Sequence, residues 1–138
     1  MSANIVNRSV VGRKENRQRK YIDIPEWGGS VLIQQLSAAQ VSAIQAIAAD
    51  AVDATRAVVK DRAKLSRFNF AMIRDSWITE DGEPQLTDDD YVAITQEPNT
   101  VLQTLVTAIS EFNRMDAGAA QEAKKNLPAM ANGVSGFN

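Results

Sequence analysis

A mostly helical α+β domain is the fold class this sequence predicts: an N-terminal β-hairpin packed on a small bundle of three to four helices, with flexible termini. Three observations predict it. Two short runs of strand-forming residues, Lys20-Tyr21-Ile22-Asp23-Ile24 and Ser30-Val31-Leu32-Ile33-Gln34-Gln35-Leu36, flank Pro25-Glu26-Trp27-Gly28-Gly29. From Ser37 onward, apolar residues recur at the three- and four-residue spacing of helix faces. Both ends of the chain lack either pattern. At 138 residues the chain is one domain. It divides into a basic flexible arm (1–18), a globular body (19–116) and a largely flexible tail (117–138).

The hairpin expectation rests on the Gly28-Gly29 pair, because glycine takes φ > 0 without steric cost and lets the chain reverse. Trp27 beside the turn brings a large apolar area and can cover one face of a small sheet. Side chains alternate along a strand, so Tyr21 and Ile22 fall on opposite faces, as do Leu32 and Ile33. Asp23 and Gln34-Gln35 suit a solvent-facing side. A two-stranded hairpin is marginal alone and needs a helix to pack on.

Ser37-Ala38-Ala39-Gln40 fits a capping box and opens the long central helix. Val41 to Val59 contains no Gly or Pro. Val41, Ile44, Ala48, Ala51, Val52, Thr55 and Val59 make one face, widened by Ile47 and Val58, with Gln45, Asp50, Asp53 and Arg56 opposite. From Arg56 to Arg74 the chain is basic, with Asp61 its one acid. Either the central helix bends here or a second helix begins after Ser66. Phe68, Phe70, Met72, Ile73 and Trp77 supply apolar anchors. Basic residues interleaved with Phe can stack on single-stranded nucleic acid. The same mix also describes a helix whose aromatics face the core while Lys and Arg snorkel.

Asp81-Gly82 is a turn signal, and Pro84 blocks helix continuation. Thr87 then caps a short helix whose aspartates complement the positive end of the helix dipole. Eight acids and no Lys or Arg lie between Asp75 and Glu97. Clustered carboxylates can bind calcium or magnesium, but the spacing does not fit an EF-hand loop, and capping accounts for it better. Pro98 is tolerated in a first helical turn. Leu102, Leu105, Val106, Ile109 and Phe112 form the last apolar stripe, flanked by Val101 and Ala108. Gln103, Thr104, Thr107, Ser110 and Glu111 take the wet side, and Asn113 and Asp116 fit a helix stop. In the tail, Ala119 to Lys125 has the composition for two helical turns, while Pro128, Gly133 and Gly136 argue against more. Met130, Val134 and Phe137 are isolated apolar residues that can dock into a partner groove or stay solvated.

Composition narrows function. The chain has no histidine and no cysteine, which removes Ser-His-Asp and Cys-His arrangements, thiolate chemistry, the usual zinc sites and disulfides. The expectation is a non-enzyme with no cofactor. Chemistry through carboxylates, lysine or magnesium stays open. A net charge of −2 makes no whole-protein case for nucleic acid or membranes. No apolar run approaches the ~20 residues of a membrane span. The N-terminus is polar and basic, so the expected address is the cytosol of the producing cell. Within the first twenty residues, Arg8, Arg13, Lys14, Arg17, Arg19 and Lys20 stand against Glu15 alone. That composition serves either an acidic partner or nucleic acid, or it is a solvated terminus.

Four pieces in this order resemble the tail assembly chaperones of long-tailed, lambda-like bacteriophages and prophages. They are the basic N-terminus, the Ile24-Pro25-Glu26-Trp27-Gly28-Gly29 turn with a strand ending Leu36-Ser37, the Trp77-to-Asp90 segment with Asp81-Gly82 and Leu86-Thr87-Asp88, and the last helix ending Glu111-Phe112-Asn113. The likeness spans roughly residues 13–125, and its motifs are structural. It implies a non-enzymatic protein that binds the long, aggregation-prone tape measure protein, keeps it soluble, and helps recruit the tail tube (major tail) protein. It also implies a host-cytoplasmic protein that is lost from the finished virion. Such families often make a longer product by ribosomal frameshifting, and Lys124-Lys125-Asn126 permits a slippery A-AAA-AAC heptamer. Reversible contact with an apolar helical client would fall to Trp27, Phe68, Phe70, Trp77, Met130 and Phe137, each of which has a core-packing alternative. The basic 1–20 and 56–74 stretches can meet the acidic 75–97 stretch of another subunit, giving salt-sensitive self-association. Two other classes compete: a structural virion component of the tail or head–tail junction, and a small nucleic-acid-binding protein.

Overall fold

The computed structural model describes residues 5–53, 58–59 and 61–115. The tail residues Met130, Val134 and Phe137, the expected helix at 119–125, Asp116 and the Lys124-Lys125-Asn126 string lie outside the described residues.

The predicted hairpin is present. Strand β1 (Arg19–Ile24) pairs antiparallel with β2 (Gly29–Gln34), Ile22 opposite Val31 and Ile24 opposite Gly29. The connection is a 3₁₀ turn over Pro25–Trp27 that ends on Gly28 at φ 75°, whose N–H donates to the Pro25 carbonyl at 3.0 Å. Gly28 alone takes the left-handed conformation; Gly29 does not. The two glycines therefore predict opposite outcomes. Gly28→Ala should destabilise the protein by about 1 kcal/mol through the left-handed penalty. Gly29 has open space around a Cβ and no positive φ, so Gly29→Ala should be neutral or slightly stabilising. Urea unfolding of both variants checks the difference.

Ile22, Ile24, Val31 and Ile33 form the buried face of the hairpin. Leu32 points the other way and is buried too, while its cross-strand neighbour Tyr21 is 59% exposed. The reason is a third extended segment along β2. Trp77 bridges Ile33 in antiparallel fashion, and the Ile78 N–H donates to the Leu32 carbonyl at 3.0 Å.

The capping box at Ser37 forms as the sequence requires. The Gln40 N–H donates to Ser37 Oγ at 3.1 Å, and the Ser37 N–H donates to Gln40 Oε1 at 2.9 Å. Helix α1 runs Ala38–Ala51, with Ile44 and Ala51 buried and Gln45 and Asp50 exposed. It stops at Ala51, well short of the expected end at Val59. Val52–Asp53 (β3) instead pairs antiparallel with Val58–Val59 (β4). Valine is stiff at χ1 and suits strands over helices, and here three valines fall within one short stretch. Helix α2 covers Arg62–Ser76, so the second helix begins before Ser66, not after it. Its start is fixed by Asp61, whose Oδ1 accepts the Lys64 N–H at 3.1 Å. The one acid in a basic stretch is an N-cap.

The acidic segment also resolves into caps and turns. Gly82 sits at φ 89° and its N–H donates to the Thr79 carbonyl at 2.9 Å. Thr87 and Asp90 form a capping box, the Thr87 N–H donating to Asp90 Oδ2 at 2.8 Å. A 3₁₀ turn over Asp88–Asp90 leads into the short α3 (Tyr91–Thr95). Helix α4 (Asn99–Phe112) follows Pro98. Its fully buried line is Val101, Leu105 and Ile109, with Leu102, Val106, Ala108 and Phe112 half-buried beside it. The stripe is thus rotated toward Val101, which the sequence placed on its flank. One core joins the hairpin's inner face to Ile44, Ala71, Met72, Ile73 and the α4 line. Among the described residues, no helix is long and apolar enough to cross a membrane.

Candidate functional site

Trp27 and Trp77, fifty residues apart in sequence, stack with centroids 5.4 Å apart and planes 20° from parallel. Both rings are half-buried and pack against the core. The Trp27 indole Nε1–H donates to Glu97 Oε1 at 2.7 Å, a charge-assisted bond that fixes the ring's direction. Glu97 closes the loop before α4. At the other end of that helix, Asn113 Oδ1 accepts the Leu36 N–H at 2.8 Å, and Asn113 Nδ2 donates to the Ile109 carbonyl at 2.9 Å. Both ends of α4 are therefore tied to the hairpin.

The aromatics of α2 divide. Phe68 is half-buried against the core. Phe70 is buried, edge-on to Tyr91 with centroids 5.3 Å apart. The Arg67 guanidinium lies 3.6 Å from the Tyr91 ring centroid, and the Tyr91 hydroxyl donates to Ser66 Oγ at 2.9 Å. Arg74 pairs with Asp75 at 2.9 Å and Asp88 at 2.6 Å. The hydrogen bond to Asp75 chiefly, with that to Asp88, holds the Arg74 pKa above the ordinary arginine value. Much of the basic character of α2 is thus spent on internal stacking and pairing, which is the snorkelling arrangement. A hollow of about 310 Å³ opens between α2, α3 and α4, lined by apolar Leu65, Phe70, Ile73, Ile94 and Leu102 with Arg62, Asn69 and Gln103 among its polar side chains. Phe70, otherwise buried, lines this hollow.

On the outer side of the hairpin, Tyr21 Oη donates to Glu80 Oε2 at 3.1 Å, and Arg19 Nη1 donates to the Glu80 carbonyl at 3.0 Å. The bond to Glu80 raises the Tyr21 pKa above its ordinary value. Among the described residues no group of three carboxylates is arranged to hold a metal ion.

Of the sequence-predicted contact residues, the structure brings Trp27 and Trp77 together, packs Phe68 against the same core, and sets Phe70 against Tyr91. Sequence reading missed Glu97, Tyr91 and Asn113 as partners of these groups. Long-range pairs of this kind carry no local spacing signal.

No family model and no characterised protein matches the chain by sequence. By structure, the fold is similar to that of the bacteriophage HK97 tail assembly chaperone, with a TM-score of 0.52 and 14% identity, over 73% of this chain and 91% of that chain. At that identity the likeness is one of fold.

Proposed function

We propose that this chain is a tail assembly chaperone of a long-tailed phage or prophage, a non-catalytic protein that holds the tape measure protein soluble while tail tube subunits are recruited. The observation that carries this reading is the fold similarity to the HK97 chaperone, which extends over 91% of that protein. The motifs of the hairpin turn, the Asp81-Gly82 turn and the Glu111-Phe112-Asn113 helix end support it independently. A chaperone of this type acts in the host cytoplasm and leaves before the virion is finished. Weak, repeated contacts along one long client give avidity without a tight individual site. On the described part of the chain such contacts fall to the half-buried rings of Trp27, Phe68 and Trp77 and to the hollow that Phe70 lines. Met130 and Phe137 complete the set. Contact between copies through the basic and acidic stretches would align chaperones along the client.

Co-expression with the candidate tape measure protein tests this. The expected result is a soluble client that co-purifies with this chain. No rescue and no complex, with or without a frameshifted extension, would sink it. Reading the gene settles the extension separately: AAG codons at Lys124 or Lys125, or no overlapping downstream frame, remove the frameshift.

A further inference from the structure

At the root of the N-terminal arm a hollow of about 360 Å³ is lined by Arg13, Lys14, Arg17 and Arg19 with Gly12, Asn16, Gln34 and Gly82. Four cations line it and no carboxylate does. The ion pairs found among the described residues are both made by Arg74. Cations gathered around one space repel one another, and an anion placed among them relieves that repulsion.

The arginines are held in place by neutral acceptors. Arg17 Nε donates to the Gln35 carbonyl at 2.8 Å, and its Nη2 donates to Gln40 Oε1 at 2.9 Å. Arg19 Nε donates to Gln34 Oε1 at 3.2 Å. A Cβ on Gly82 would lie 2.8 Å from Arg19 Nη2, so the guanidinium has room there because residue 82 is glycine. Asn16 Nδ2 donates to the Val10 carbonyl at 2.7 Å and braces the arm's turn, on which Arg13 and Lys14 remain exposed. Positioned guanidiniums with spare donors match the geometry of a carboxylate or phosphate oxygen pair.

The surroundings choose between these. Glu80, Asp81 and Glu83, all exposed, adjoin Gly82 in sequence, and a phosphodiester chain, charged at every unit, meets the most repulsion from such an acidic turn. A segment whose carboxylates are spaced by apolar residues carries less charge past it. Val11, next to Gly12, is 67% exposed and offers an apolar contact. We propose that this hollow binds an acidic segment of a partner protein, its carboxylates meeting Arg13, Lys14, Arg17 and Arg19.

Fluorescence anisotropy tests it with the full chain and a short labelled peptide rich in Glu, Asp and Leu. The controls are the peptide with Lys at the acidic positions and a single-stranded oligonucleotide of equal charge. Saturable binding of the acidic peptide, weakened by salt, is expected. R13E/K14E should lower that affinity by at least about tenfold, and R13A/K14A should do so to a lesser degree. R62E/K64E makes the same charge change on α2 and should leave binding near wild type. All these side chains are exposed, and unchanged thermal unfolding would show that the fold is kept. No binding of the acidic peptide overturns the proposal. So does equal loss in R62E/K64E, an unaffected R13E/K14E, or an oligonucleotide bound as tightly as the peptide.

Discussion

Leu105→Ala is expected to remove about 3–4 kcal/mol of folding stability, whereas Leu102→Ala, one helical turn earlier on the same stripe, should cost about half as much. Leu105 is fully buried at the middle of the α4 line, between Val101 and Ile109, and belongs to the core that joins α4 to the hairpin and α2. Truncation there loses the transfer free energy of the removed methyl groups. It also leaves a cavity whose walls, made by helices and a sheet at once, can collapse only partly. Leu102 is half-buried and lines the hollow beside α2, so water already reaches part of it. Urea unfolding at constant m-value reads both losses. Equal losses would mean that the stripe is not rotated toward Val101.

Trp27→Ala should cost about 3 kcal/mol, near the low end for a tryptophan truncation because the ring is only half-buried. Two interactions go with the ring: the stack on Trp77 and the hydrogen bond to Glu97. Trp27→Phe separates them. It keeps an aromatic face for Trp77, removes the N–H donor, and should lose about 1–2 kcal/mol. Glu97→Ala should lose a similar amount, because it strands the same half-buried donor. Combining Trp27→Phe with Glu97→Ala should cost clearly less than the sum, since both remove one bond. Strict additivity in that cycle would show that the indole–carboxylate contact contributes nothing. Because Trp27 lies in the hairpin turn and Glu97 just before α4, this pair reports docking of the hairpin on the helices.

The local grammar of this chain was legible without coordinates wherever a signal is complete within a few residues. The hairpin between Lys20 and Gln34, the Ser37–Gln40 capping box, the Thr87 N-cap and the Asp81-Gly82 turn are all of this kind. Each is set by backbone conformation or by a side chain reaching its own neighbours. The reading failed where two local preferences compete. Val41 to Val59 has helical periodicity and no breaker, yet its end is rich in valine, and pairing of Val52–Asp53 with Val58–Val59 prevails. Asp61 reads as a charge in a basic run until the start of α2 shows it to be a cap.

Of the candidate contact residues, the sequence determined their kind and the tertiary structure their availability. The sequence alone made Trp27, Phe68, Phe70 and Trp77 large apolar candidates. Packing decided that the two tryptophans share one stack and that Phe70 is enclosed beside Tyr91. The basic arm shows the same division. Its charge was plain from Arg13, Lys14, Arg17 and Arg19, but their convergence on one hollow depends on Gln34, Gln35, Gln40, Glu80 and Gly82, which reach the arm only when the hairpin and the acidic turn have folded. Hydrogen bonds within one turn are chosen by the residues that make it. Contacts across the domain are chosen by the shape of the whole core.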